Sequence, residues 1–132
     1  MSIVSQTEQP GVFRQVVRVD AHTLYADVAV ASGGQASAPS PHDYFDTSLA
    51  TCKALTLAVY AKGHGIKLDR IEVEITRDDS RERQGTYVLN VKLALFGDLS
   101  ADDRAKLHDI STRCPIHRLM TDRTVEINTA PL

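Results

Sequence analysis

Apolar and polar residues alternate from Phe13 to Val19 and again from Thr23 to Ala31, around a short break at Asp20-Ala21-His22. A period of two rich in β-branched residues marks half-buried strands, so these runs predict a hairpin. Ile71-Glu72-Val73-Glu74-Ile75-Thr76 alternates in the same way, and Thr86 to Phe96 does so over a longer stretch. The charged segment Arg77 to Gly85 between them reads as a solvated connection. Thr124 to Thr129 is expected to supply a final strand, and the first ten residues are expected to fray.

The period changes after the small-residue loop Ser32 to Pro39, whose Gly33-Gly34 pair is followed by neither a Walker lysine nor a Rossmann pattern. Ser40-Pro41-His42-Asp43 is a helix start: Ser40 can cap, Pro41 suits the first turn, and Asp43 can complete a capping arrangement at the positive helix end. The helix should run to about Lys62 and stop at Gly63 and Gly65. From Leu49 to Ala61 its only charge is Lys53, so apolar surface wraps most of the circumference. Such a helix belongs inside something, and burial against a partner chain is one way to provide that. Lys53 points about 100° away from its neighbour Cys52, which reads as an interface or solvent-reaching position. A second helix starts at Ser100 with Asp103 as its capping pair, turns Leu107 and Ile110 inward, and must pause before Pro115.

A chain of 132 residues without repeats or a linker is expected to form one domain, residues 1–132, with a core large enough to need no metal or disulfide. With 15 Lys and Arg against 17 Asp and Glu, it has no basic excess to release counterions from a phosphate backbone, so nucleic acid is not an expected partner. No segment approaches the roughly 20 apolar residues of a membrane span, and the N-terminus lacks a basic region followed by an apolar run. The expectation is a soluble cytoplasmic protein whose thiols stay reduced.

That leaves two cysteines in helix-forming contexts to be explained as chemistry or as packing. At helical spacing Cys52 neighbours Phe45, Ser48, Leu49, Leu55, Thr56 and Val59, a mostly apolar set that would keep the thiol protonated and inert unless a cation were brought to it. Cys114 precedes Pro115, a residue suited to the first helical position, so its sulfur would cap a short helix through His117, Arg118 and Leu119 and face free N–H groups. Cys-Pro also serves as plain punctuation at a helix break. Cys52, Cys114 and His117 show no ligand spacing such as Cys-x-x-Cys, so a metal site is disfavoured.

The run Ser40-Pro41-His42-Asp43-Tyr44-Phe45, continuing to Leu49-Ala50-Thr51-Cys52 and then to Tyr60-Ala61-Lys62-Gly63 and Gly65-Ile66, is similar to the OsmC/Ohr family. There a Ser-Pro-x-acid-Leu-Leu start leads to a cysteine in a long central helix. The family's second signature follows in matching order: Gly97-Asp98-Leu99-Ser100, a helix, then Cys114-Pro115-Ile116-His117-Arg118. The resemblance implies an α+β fold of antiparallel sheets with a long central apolar helix, assembled as an intertwined homodimer.

It also implies a thiol-dependent peroxidase that reduces small organic hydroperoxides in oxidative or osmotic stress defence, with no cofactor. Cys52 would be the peroxidatic residue, Cys114 the resolving one, and an external dithiol the reductant. An arginine from the N-terminal hairpin would stabilise the departing oxygen. Arg18, directly before the turn, is the match, with Arg14 as the alternative on the same strand face. The family's peroxidase branches orient that arginine with Glu. Here His42 stands at that position, and Asp43 is the neighbouring acid. Asp43 lies about 13.5 Å below Cys52 along a regular helix, so it could act on the arginine only from an irregular lead-in or from another subunit; helix capping is its simpler role. The alternative function is a non-catalytic stress-associated dimer that binds a small apolar ligand.

Overall fold

In the computed structural model, which describes residues 1–132, β1 (Ile3–Thr7), β2 (Gln15–Val19) and β3 (His22–Ala26) form an antiparallel sheet in that order. These strands belong to an N-terminal unit, Met1–Phe45; the rest, Asp46–Leu132, forms a second unit. The hairpin turns at Asp20, whose φ of 51° lies in the left-handed region that Asp tolerates better than most residues. Residues 3–7 do not fray. They pair along β2 from Ile3↔Val19 to Thr7↔Gln15, because β2 offers its second edge to any extended neighbour.

The second arm of the hairpin ends at Ala26, five residues before the expected Ala31, and the cause is Asp27. Its buried carboxylate accepts from the backbone N–H of Val28 (2.8 Å), Gln35 (3.2 Å) and Ser37 (3.1 Å) and from the Ser37 hydroxyl (2.6 Å). Those donors curl residues 27–37 around one side chain instead of extending them. Gly34 is required there, since a Cβ would lie 2.2 Å from the Val28 carbonyl oxygen. The Ser37 hydroxyl first, then the backbone donors, pull the Asp27 carboxyl down to about 2.

The long helix α1 (Pro41–Gly63) starts as expected: Ser40 Oγ accepts from Asp43 N (3.2 Å), and Asp43 Oδ2 accepts from Ser40 N (2.9 Å). It ends on Gly65, whose φ of 65° lets Ile66 N reach back to Ala61 O (2.9 Å). Gly63 is still helical.

In the second unit β4 (Lys67–Asp78) and β5 (Val88–Asp98) make an antiparallel hairpin; β4 is longer than the alternating core that announced it, and β5 starts and ends two residues later than its pattern. Backbone ladders carry the pairing past the patterned residues, from Asp78↔Val88 to Lys67↔Asp98. A shift in register between Leu68 and Arg70 sits opposite Gly97, where a Cβ would lie 2.1 Å from Lys67 O. The helix α2 (Ala101–Ser111) opens with the Ser100–Asp103 capping box, and α3 (Pro115–Thr121) starts at Cys114. Leu57 and Ala61 of α1 and Leu107 of α2 form the buried core, with Ile71, Leu95 and Ile110 packed against it.

Residues 124–129 pair with no strand, contrary to expectation, and leave Ile127 84 % exposed. Their alternating pattern encodes an extended segment, but a strand also needs a neighbouring edge to complete its hydrogen bonds. The architecture is α+β with two antiparallel sheets. No helix is long and apolar enough to cross a membrane.

Candidate thiol site

The α1 residues buried in the fold are Asp46, Leu49, Lys53, Leu57 and Ala61, so one stripe of a helix facing the interior carries two charged side chains. Lys53 is the unexpected one. The sequence reading sends it to solvent or an interface, whereas it is only 4 % exposed, and Nζ donates to the Ser111 carbonyl (2.7 Å) and meets His117 Nδ1 (3.0 Å). Lys53 lies seven residues after Asp46 and four before Leu57, so helical geometry puts all three on one face. That spacing was the available signal; its polarity disguised it.

Cys114 is the N-cap of α3, fully buried, and its Sγ accepts from His117 N (3.4 Å), with Pro115 in the first turn as the sequence implies. Burial pushes this thiol up from its ordinary value. The His117 N–H works against that, the Cys52 side chain adds to the rise by hydrogen bond and charge, and the Lys53 charge pulls the thiol back down. Cys52 thus bears on the ionisation of Cys114. Both are free thiols, Cys52 half-buried with Thr56 Oγ1 at 3.9 Å. The cation that acts on Cys114 is Lys53, which follows Cys52 in the chain.

His117 completes the group. Burial first, then the Lys53 charge, lower its imidazole below the ordinary value, against a smaller opposing influence from Asp122. A neutral ring that faces an ammonium accepts through Nδ1, which puts its own proton on Nε2. Lys53 has a carbonyl oxygen and an imidazole nitrogen for partners and no carboxylate. A buried cation without a counter-ion favours a negative charge forming beside it, and a cysteine sulfur can supply one.

Asp46, at the other end of the stripe, is fully engaged. Arg77 Nε donates to its Oδ2 (2.6 Å) and Tyr87 OH to its Oδ1 (2.8 Å). Burial, then Asp46, pushes the Tyr87 phenol up to about 12. The two supporting residues suggested by resemblance both lie in the N-terminal unit. Asp43 caps α1. Arg18 is exposed near the turn end of β2, and Arg14 is engaged by Glu8 (3.0 Å) and stacks over the Tyr25 ring (4.1 Å). No group of three or more His, Cys, Asp or Glu side chains converges as metal ligands.

Three solved structures share this fold at low identity. The OsmC-like protein from Mycoplasma pneumoniae is 17 % identical with a TM-score of 0.73, over 92 % of this chain and 86 % of that one. The organic hydroperoxide resistance protein OhrB of Bacillus subtilis is 19 % identical with a TM-score of 0.59, over 92 % and 90 %. The organic hydroperoxide resistance protein OsmC from Legionella pneumophila is 16 % identical with a TM-score of 0.63, over 92 % and 90 %. No curated protein matches the sequence. The OsmC-like protein family matches residues 34–130, a span that runs from the Asp27-anchored loop through both cysteines, and the chain belongs to that family.

Proposed function

We propose that this chain is a thiol-dependent peroxidase that reduces organic hydroperoxides, with Cys52 as the peroxidatic residue and Cys114 as the resolving one. The observation that carries the reading is the buried Lys53 ammonium, which follows Cys52 in the chain, bonds His117 on the helix that Cys114 caps, and has no carboxylate partner. Cys52, the more accessible sulfur, meets the substrate. As thiolate it attacks the terminal peroxide oxygen: an S–O bond forms, the O–O bond breaks, and the departing alkoxide takes a proton to leave as alcohol. Cys114 then gives up its proton and attacks the sulfenic sulfur, so that an S–S bond forms and water departs. An external dithiol reduces the disulfide by two exchanges and becomes a disulfide itself.

Arg18 is the donor we assign to the departing oxygen, with Asp43 as its orienting acid. Arg14, held by Glu8 and Tyr25, is the less available cation. A second copy of the chain is the proposed partner, because α1 leaves Leu55 66 % and Val59 73 % exposed and residues 124–129 lack a strand neighbour. Two reduced thiols suit the cytoplasm.

One observation favours the non-catalytic alternative, a dimer that holds a small apolar ligand. A cavity of about 350 Å³ is lined by apolar residues of α1 and β4, among them Ala61, Ile66 and Ile71, with Lys62, Asp69 and Arg70 at its polar side, and neither cysteine lines it. Turnover of cumene hydroperoxide with dithiothreitol separates the two readings. Catalysis predicts that Cys52→Ser falls to the uncatalysed rate and that Cys114→Ser accumulates a Cys52 sulfenic acid trapped by dimedone. If wild type and both variants consume peroxide at the same background rate, the catalytic reading fails.

A further inference from the structure

The peroxidase reading requires Cys114 to ionise, yet Cys114 is completely buried, and burial opposes any thiolate. A resolving cysteine in that position needs a fixed positive charge. The geometry points to Lys53 as the residue that provides it: held between the Ser111 carbonyl and His117 Nδ1, its ammonium positions charge for Cys114 as attacking thiolate in disulfide closure and as leaving thiolate when the disulfide is reduced.

The inference deepens the proposed function and rests on Cys52 and Cys114 forming a disulfide. Each anchor has a distinct part. Ser111 O, at the last residue of α2, gives the ammonium an immobile acceptor 2.7 Å away. His117 Nδ1, on α3, ties the same nitrogen to the helix whose N-cap is Cys114. Lys53 therefore spans α1, the end of α2 and the start of α3, and any motion of the Cys114 turn carries His117 with it. The groups that act electrostatically on Cys114 are Cys52 and Lys53 from α1; Lys53 and Asp122 act on His117. Asp122 is exposed and ion-paired with Arg123, so Lys53 is the buried charge of the group. Lys53 is a positioning residue: it acts through Cys114 and touches no reacting peroxide atom.

An aromatic disulfide, dithionitrobenzoate, isolates the step without peroxidase activity. Cys52 thiolate attacks one sulfur of the reagent, which forms a mixed disulfide and releases one thionitrobenzoate. Cys114 thiolate then attacks the Cys52 sulfur, closes the protein disulfide and releases the second. The slower release, independent of reagent concentration, reports Cys114 and is followed as a function of pH. Lys53→Met should move its pH midpoint up by about one unit, which slows closure near neutral pH by about tenfold. Lys53→Arg should recover most of the rate, and His117→Leu, which frees the ammonium from one anchor, should shift the midpoint in the same direction by less. A wild-type midpoint and rate in Lys53→Met overturn the inference. Should that variant fail to fold, a wild-type midpoint in His117→Leu overturns it instead. Wild-type protein that closes the disulfide but ignores cumene hydroperoxide removes the peroxidase reading and leaves the role of Lys53 standing. Wild-type protein that releases only one thionitrobenzoate removes the role of Lys53.

Discussion

Asp46 and Lys53 sit about two turns apart on the buried stripe of one helix, and the fold treats their charges in opposite ways. Asp46 meets a guanidinium and a phenol, two donors that match its two oxygens and one of which carries the opposite charge. Lys53 meets a carbonyl, an imidazole kept neutral by burial and by the lysine itself, and the neighbourhood of two thiols. A buried ion with its counter-ion in place fastens secondary structure, here tying α1 to the β4–β5 hairpin through Arg77 and Tyr87. A buried ion whose partners are all neutral leaves room for charge to develop nearby, which is a property of reactive sites. Burial alone does not distinguish the two; the partners do.

The comparison breaks most visibly at Asp46. Asp46→Asn keeps the volume but removes the charge that Arg77, whose side chain is 28 % exposed, and the Tyr87 hydroxyl both donate to. Complete burial would put the loss at 3–5 kcal/mol, so partial solvent access suggests about 2 kcal/mol in a urea titration. The same variant removes the second cause of the raised Tyr87 phenol. Its ultraviolet titration should fall from about 12 while staying above the ordinary 10.0, because burial, the first cause, remains. An unchanged stability and phenol titration would mean that the ion pair fastens nothing.

Asp27 sharpens the contrast from the N-terminal unit, since its charge is stabilised by four neutral donors and no cation. Its folded-state value lies below the ordinary 3.8, so the contribution is complete above about pH 4 and lost as pH falls from there through about 2. Amide exchange protection at Gln35 and Ser37 should decline across that window, and in Asp27→Asn it should be weak already at neutral pH. Protection that persists in the variant would show that the loop holds itself without the carboxylate.

What the sequence could announce depended on whether the deciding partner was near in the chain. The Ser40–Asp43 and Ser100–Asp103 capping pairs, the alternation in β4 and β5 and Cys114 ahead of Pro115 are local codes, and each appears where its residues predict. β1 has no pattern of its own and exists because β2 has an open edge. Ala26 ends β3 because Asp27 finds donors ten residues away, and the 124–129 segment stays unpaired because alternation specifies a shape without specifying a neighbour. At the thiol site the two cysteines were legible as motif residues. Lys53 was not, since a lysine in an apolar helix reads as an outward-facing position until Ser111 and His117, about sixty residues later, supply its partners.

The smallest effect expected on stability is at Lys53, the buried cation that acts on Cys114. Lys53→Met keeps an unbranched side chain of similar length in the same groove, gives up two hydrogen bonds and relieves the burial of a charge that has no counter-ion. These contributions oppose one another, so the unfolding free energy from a urea titration should change by less than about 1 kcal/mol in either direction, well short of the change at Asp46. Side by side, Asp46→Asn should weaken the fold and leave thiol closure near wild type, whereas Lys53→Met should leave the fold near wild type and slow closure. If both variants lose stability to the same extent, the two charges share one structural role, and the absence of a counter-ion at Lys53 says nothing about the cysteines.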